Sequence, residues 1–252
     1  MVVAHPGHEL RLHGWLERAR PILFVISDGS ARSRSRIPST RALLETVGST
    51  PGSVFGSFPD TELYAAIVDG RVERVAAATC ALSEALVSDR IEQVVCDAWE
   101  YYNPAHDLCY AMTALAVERA QMISGRPIAF YDYAVVGSPV PAGTPGEIVI
   151  TLDDDALVRK LAAARALDVL KNDVDEQLRD GSEKFRVECL RPTSPVIAMS
   201  PPASRPAYES FGEARVAEGR YPSVLRYREH FLPFVEALSA AVRLTSLASE
   251  RT

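Results

Sequence analysis

The hydrophobic positions of the chain fall into short apolar runs separated by amphipathic stretches. The chain opens with an apolar run over residues 1–4, and a continuous apolar run over 22–26 is typical of a strand buried on both faces of a parallel sheet. Between them, a helix over 9–20 is predicted by apolar residues at i, i+3, i+4 and i+7, namely Leu12, Trp15, Leu16 and Ala19. Strand, helix and strand in succession predict a βαβ opening.

The rest of the chain continues this alternation. Further helices are predicted over 39–47, 72–87, 108–122, 153–170 and 229–247, and further strands over 91–97, 127–136, 147–152 and 184–190. Residues 48–60 and 192–221 show little regular pattern, so we expect irregular structure there. The alternation predicts an α/β fold, a Rossmann-like three-layer domain with a mostly parallel sheet and a small C-terminal elaboration. We expect a single domain over 1–252, with its core over about 1–136 and the elaboration over about 147–252.

Composition narrows the class of protein. The 252 residues carry 27 Lys and Arg against 33 Asp and Glu, a formal net charge of −6, which argues against a general nucleic-acid binder. The short basic cluster of Arg32, Arg34 and Arg36 does not overturn this. Four scattered cysteines without a C-x-x-C pair predict free buried thiols. With neither a signal peptide nor an apolar membrane span visible, we expect a cytoplasmic protein that acts on a small molecule, without nucleic-acid or membrane partners; a homo-oligomer stays open.

The histidines carry the leading functional signal. The chain has 5 His, and His5 and His8 lie three residues apart across Pro-Gly, after the first strand. His106 follows another strand, and loops after the carboxyl ends of parallel strands converge on one crevice. Three imidazoles with an open fourth position are typical of a catalytic zinc site. A structural or chance cluster is the alternative. His13 is expected on the surface or paired with Glu, and His230 either flanks the last helix or covers the site.

Five short motifs follow one another along the first half of the chain. They are Ala4-His5-Pro6-Gly7-His8-Glu9, Ser27-Asp28-Gly29, Arg41-Ala42-Leu43-Leu44-Glu45, Phe58-Pro59-Asp60 and Asn103-Pro104-Ala105-His106. In this order they resemble the motifs of the PIG-L/LmbE-like metal-dependent de-N-acetylases, a family that opens with Ala-His-Pro-Asp-Asp-Glu and carries a later His-Pro-Asp-His. The resemblance covers roughly residues 1–136. It implies hydrolysis that removes an N-acyl group, such as acetyl, from an amino sugar or a sugar-containing metabolite, with one divalent metal ion.

The resemblance also implies roles for particular residues. His5 and His106 match the two metal-binding histidines, and His8 stands in place of the metal-binding aspartate, a set that favours zinc with iron as the alternative. Gly7 replaces the aspartate that serves as general base. Asn103 replaces a histidine that stabilises the oxyanion and can still donate a hydrogen bond. Asp60 either binds a sugar hydroxyl or is a turn acid.

Gly7 has no side chain that can accept a proton. If the protein hydrolyses its substrate, a carboxylate elsewhere in the chain must therefore act as the general base. The candidates at strand ends on the expected site side are Glu9, Asp28, Asp97 and Asp107. Asp28 and Asp97 can equally orient the histidines, and Asp107 can cap a helix. Two alternative functions follow from Gly7: an inert protein that binds metal and sugar, or a different metal-assisted reaction on a small molecule.

Overall fold

The computed structural model describes residues 1–30, 34–137, 139, 141–167, 185–197, 202 and 204–249. Arg32, the end of the helix predicted over 153–170 and Lys184 at the start of a predicted strand lie outside the described residues.

A seven-stranded sheet forms the centre of the described part of the chain. Its strands are β1 (Val2–Val3), β2 (Ile22–Ser27), β3 (Thr50–Phe58), β4 (Gln93–Asp97), β5 (Ala129–Tyr133), β6 (Ile148–Thr151) and β7 (Val187–Pro192). They lie in the order β3-β2-β1-β4-β5-β7-β6. The pairs among β1 to β5 are parallel, whereas β7 runs antiparallel to both β5 and β6. The mostly parallel α/β sheet predicted from sequence is therefore confirmed.

Helices cover both faces of this sheet. A 3₁₀ turn (His8–Leu12) leads directly into α1 (His13–Ala19). The helices that follow are α2 (Ile37–Val47), α3 (Asp60–Asp69), α4 (Glu73–Ser88), α5 (Pro104–Ser124), α6 (Asp154–Ala166) and α7 (Ala207–Ala217). A π-helical turn (Tyr227–Phe231) leads into α8 (Leu232–Ser249). Val2 packs with the core formed by α3, α4, α5 and α8, while Val3 packs with the core formed by α1, α2 and α6. Successive strand residues thus supply opposite layers.

The strand order places the histidine-bearing loops together. Chain order reverses between β1 and β4, which are neighbours in the sheet although β2 and β3 come between them in sequence. The loops after β1 and β4 therefore leave the sheet side by side at a topological switch point, where α/β proteins bind their ligands. His5 and His8 follow β1, and His106 lies in the first turn of α5, after β4.

Three sequence expectations were wrong. Residues 48–60, expected to be irregular, contain β3, whose pattern is hidden by glycine: a Cβ on Gly52 would lie 2.4 Å from the Phe24 ring, so glycine is needed where the strands approach. The segment 192–221 contains α7. His13, expected at the surface or paired with Glu, is not at the surface, since it is 2% exposed. Each of these outcomes depends on packing between elements distant in sequence.

Other expectations hold. All four cysteines are buried free thiols. The Asp153 side chain accepts a hydrogen bond from the Ala156 amide and so caps α6 at its N-terminus. Among the described residues, no helix combines the length and the apolar character needed to cross a membrane.

Candidate active site

Three imidazole rings meet at the switch point between β1 and β4. The ring centroids of His5 and His8 lie 5.2 Å apart, those of His5 and His106 5.4 Å, and those of His8 and His106 4.5 Å, each pair edge to face. His5 and His106 are buried and His8 is half-buried. The structure therefore brings together the three histidines that the sequence singles out, from loops about a hundred residues apart.

The hydrogen bonds of His5 define its tautomer. Its Nδ1 lies 2.6 Å from the Ser27 Oγ, and that hydroxyl donates its own hydrogen to the Ala4 carbonyl at 2.9 Å. Since the hydroxyl has one hydrogen, it accepts from the His5 Nδ1–H. Asp60 Oδ1 lies 3.3 Å from the same nitrogen and reinforces this arrangement. Burial lowers the pKa of His5, so its ring is neutral near pH 7 and its Nε2 carries a lone pair.

Asp97 holds His8 through its Nδ1 atom, as Ser27 holds His5. One oxygen of this fully buried carboxylate accepts from His8 Nδ1 at 2.7 Å and from the Ala4 amide at 2.9 Å, and the other accepts from the Tyr133 hydroxyl at 2.6 Å. Burial raises the pKa of Asp97, but His8, His106 and Tyr133 outweigh it and hold that pKa at about 2. The ionised carboxylate can only accept, so His8 donates from Nδ1, and Nε2 is the ring nitrogen that remains for a ligand.

His106 completes the group with an orphaned polar atom. Its Nδ1 is buried without a hydrogen-bond partner among the described residues. Burial, with the neighbouring His8 and His5, holds the pKa of His106 well below its usual range, so this ring is also neutral. A buried nitrogen without a partner costs free energy unless a ligand or water satisfies it.

As the side chains lie, no three His, Cys, Asp or Glu residues of the described chain form a ready metal site. The donor set nevertheless fits one. With metal–nitrogen distances of about 2.0–2.1 Å, two imidazoles on one tetrahedral ion have ring centres roughly 5 Å apart. The observed 4.5 to 5.4 Å brackets this value. Small rotations of the rings would move the donor nitrogens while changing the centroid distances little.

The turn that carries His5 and His8 is held by Glu9. Its two carboxylate oxygens accept from the Gly7 amide at 2.7 Å and from the Thr40 hydroxyl at 2.8 Å, and the side chain is fully buried. Burial raises the pKa of Glu9. Gly7 has φ of 107°, a backbone conformation that favours glycine. Glu9, a candidate base from sequence, therefore has both oxygens engaged in holding this turn.

Asn103 caps α5 and keeps a donor free. Its Oδ1 accepts from the Ala105 amide at 2.9 Å. The cap fixes the side chain in place, and its Nδ2 has no hydrogen-bond partner among the described residues. The amide group is thus oriented at the head of the helix that carries His106, as an oxyanion donor would need to be.

The remaining candidate carboxylates occupy different places. Asp28 Oδ1 accepts from the Ser30 amide, and Asp60 begins α3 beside His5. Asp107 Oδ1 accepts from the amides of Glu100 and Tyr101, and so ties the β4–α5 loop to α5; burial raises the pKa of Asp107 to about 8. The structure therefore places Asp60 beside the three histidines, while Asp107 supports the β4–α5 loop.

Residues that the sequence analysis missed complete the site. Ser27, Tyr133 and Thr40 supply the hydroxyl groups that fix His5, Asp97 and Glu9. Only Ser27 gave a signal, as the residue that follows the apolar run over 22–26 and precedes Asp-Gly. His230 lies elsewhere: its Nδ1 accepts from the Arg226 amide at the π-helical turn, in line with the expectation that it flanks the last helix.

No family model matches the chain, and a search of curated proteins finds no match either. Solved structures do resemble it. The conserved protein TT1542 from Thermus thermophilus is 18% identical with a TM-score of 0.52, over 81% of this chain and 97% of that chain. A deacetylase triple mutant of the teicoplanin biosynthetic pathway is 15% identical with a TM-score of 0.52, over 76% and 95%. A deacetylase–bog complex of the same pathway is 13% identical with a TM-score of 0.50, over 76% and 95%. At these identities the likeness is one of fold.

Proposed function

We propose that the protein is a metal-dependent hydrolase that removes an N-acyl group, such as acetyl, from an amino sugar or a sugar-containing metabolite. The observation that carries the proposal is the orientation of His5 and His8, whose Nδ1 atoms bond Ser27 and Asp97 so that Nε2 is the nitrogen left for a ligand on each ring. Imidazoles oriented by such partners are typical of metal-binding histidines. The deacetylases among the structures of similar fold support the reaction class.

His5, His8 and His106 would hold the ion. Three imidazole nitrogen donors without a thiolate favour zinc, with iron(II) as the alternative. When bound, a divalent metal ion would polarise a carbonyl oxygen and lower the pKa of a water molecule to about 7.

The chain's own residues position the substrate around this centre. Asn103 Nδ2 donates to the amide oxygen of the substrate, where negative charge develops. Asp60, beside His5, and Asp28, at the end of β2, accept hydrogen bonds from sugar hydroxyls. Asp97 and Glu9 keep the rings and the turn in place, as their hydrogen bonds occupy both oxygens of each carboxylate.

A second candidate function rests on the same hydrogen bonds. Gly7 cannot act as a base, and both oxygens of Glu9 and of Asp97 already accept hydrogen bonds. The alternative is therefore a protein that binds a metal ion and a sugar without hydrolysis. This protein would need the histidines and Asp60 and would have no use for a free base.

Release of acetate from a panel of N-acetyl amino sugars tests the proposal. The protein is produced without an affinity tag, stripped with a chelator and reloaded with zinc or iron(II). We expect activity that depends on the metal and is abolished in His106→Asn. His230→Asn is the matched control, because asparagine can still accept from the Arg226 amide, and it should retain activity.

Two outcomes decide against hydrolysis. Full activity in His106→Asn would place the reaction outside the histidine cluster. Sugar binding by the metal-loaded protein with no acetate released from any member of the panel would select the second candidate function.

A further inference from the structure

A cavity of about 250 Å³ adjoins the histidine cluster. It lies between the first turn of the chain and the C-terminal elaboration, and Gly7 and His8 form its end toward the triad. Its apolar walls come from Leu10, Leu12, Val135, Leu161, Phe185 and Val187. The cavity is large enough for a short organic group, and its position beside His8 makes it an extension of the site rather than a separate one.

Cationic side chains are the charged groups in its lining. Arg11, Arg36 and Lys160 line the cavity, and none of the described lining residues is an aspartate or glutamate. Two of the three cations have partners. Lys160 donates to Glu188 at 2.8 Å and to the Arg11 carbonyl at 2.8 Å, and Arg36 donates to the Gly29 carbonyl at 2.8 Å.

Arg11 is different. It is half-buried, and its guanidinium makes no hydrogen bond or ion pair with any described residue. The negative charge of Glu100 acts on Arg11 without a hydrogen bond between them. This carboxylate already accepts from the amides of Val135, Val136 and Gly137. Burial lowers the pKa of Arg11, which shows that the guanidinium has lost part of its water. A cation in this state gains most from an anion that offers it oxygen atoms.

We propose that Arg11 binds an anionic oxygen group of the substrate, a carboxylate or a phosphate, inside this cavity while the scissile amide lies at the triad. The substrate class becomes N-acylated amino sugars that carry an acidic substituent. The apolar walls exclude water from the pair and strengthen it. The inference rests on the proposed function, which places the scissile amide at the triad and makes the anion part of the substrate.

Calorimetric titration of the metal-loaded protein tests this with three acetamido sugars: neutral N-acetylglucosamine, N-acetylglucosamine 1-phosphate, and N-acetylmuramic acid, which carries a carboxylate. We expect the wild type to bind at least one of the acidic sugars at least about 10-fold more tightly than the neutral one, in keeping with a charge-assisted hydrogen bond. The sugar that binds more tightly identifies phosphate or carboxylate as the group recognised.

Variants assign the effect to the residue. Arg11→Gln should remove the preference, and Arg11→Lys should keep part of it, because the charge remains while the two-pronged geometry is lost. Arg18→Gln, an exposed arginine of α1, is the matched control and should bind as the wild type does. Since the Arg11 side chain has no described partner, its replacement should leave the fold intact.

The outcomes separate this inference from the proposed function, because acetate release is measured in the same samples. Acid preference lost in Arg11→Gln with no acetate released supports the anion site and counts against hydrolysis. Acetate release without any preference for acidic sugars, or a preference that survives in Arg11→Gln, overturns the anion site.

Discussion

Asp97 Oδ2 and His8 Nδ1 lie 2.7 Å apart, although 89 residues separate them in sequence. The same carboxylate accepts from the Ala4 amide and the Tyr133 hydroxyl, so it links the ends of β1, β4 and β5. One buried group therefore aligns three strands and selects the tautomer of a proposed metal ligand. Stability and metal affinity are expected to depend on it together.

Replacing Asp97 with asparagine should weaken both properties. Asparagine removes the negative charge of the buried carboxylate and one of its two acceptor oxygens, which together serve His8, Ala4 and Tyr133. We therefore expect the free energy of unfolding to fall by about 3 kcal/mol and metal affinity to fall about 10–100-fold. Urea unfolding and chelator competition measure the two effects. Tyr133→Phe is the control, since it removes one hydrogen bond at about 1 kcal/mol and leaves His8 held. Equal metal affinity in the two variants would contradict this role for Asp97.

Glu9 should couple energetically to Thr40. Glu9→Gln places an amide nitrogen against the Gly7 amide or the Thr40 hydroxyl, and the cost should be about 1–3 kcal/mol. Thr40→Val removes one of the two bonds. Their double variant should show a coupling energy of about 0.5–3 kcal/mol in urea unfolding. Strict additivity would mean that the two side chains act independently.

Gly7 should resist substitution because of its backbone. With φ of 107°, any side chain there is strained, so Gly7→Ala and Gly7→Asp should each lower the free energy of unfolding by about 1–2 kcal/mol. Gly137→Ala is the control, because that glycine has no positive φ and its added Cβ meets nothing closer than 3.5 Å. Faster acetate release in Gly7→Asp than in Gly7→Ala would show that the base position is usable. Unchanged stability in both would refute the strain.

Lys160 and Arg159, two neighbouring cations of α6, should differ sharply in how much their replacement lowers the free energy of unfolding. Lys160 is buried and pairs with Glu188, which also accepts from the amides of Gly14 and Trp15. Lys160→Met leaves that carboxylate uncompensated, and we expect a loss of about 3–5 kcal/mol in urea unfolding. Arg159 pairs with Glu17 at the surface, so Arg159→Gln should change little. Similar losses from the two substitutions would mean that burial does not decide the strength of these pairs.

Much of the sheet could be predicted because its strands carry their own apolar pattern. The run at 22–26 reads as a buried strand in any context, and it forms β2. β3 could not be predicted in this way, because Gly52 interrupts its pattern where the strand approaches the Phe24 ring on the neighbouring strand. The burial of His13 likewise depends on helices and strands that its own segment does not encode.

The candidate site likewise has features that the sequence predicts and features that it does not. His5, His8 and His106 could be predicted to converge because each follows a parallel strand, and the structure places their rings in contact. Which carboxylates remain free could not be predicted. The hydrogen bonds that Thr40 donates to Glu9 and Tyr133 donates to Asp97 depend on distances across the sheet. The absence of a described partner for the Arg11 guanidinium depends on such distances as well.

Metal stoichiometry tests the central claim most directly. Protein made without an affinity tag, stripped and then titrated with zinc, should bind one equivalent, and His5→Asn or His106→Asn should abolish that binding while His230→Asn keeps it. A wild-type protein that stays metal-free throughout the zinc titration would contradict the account.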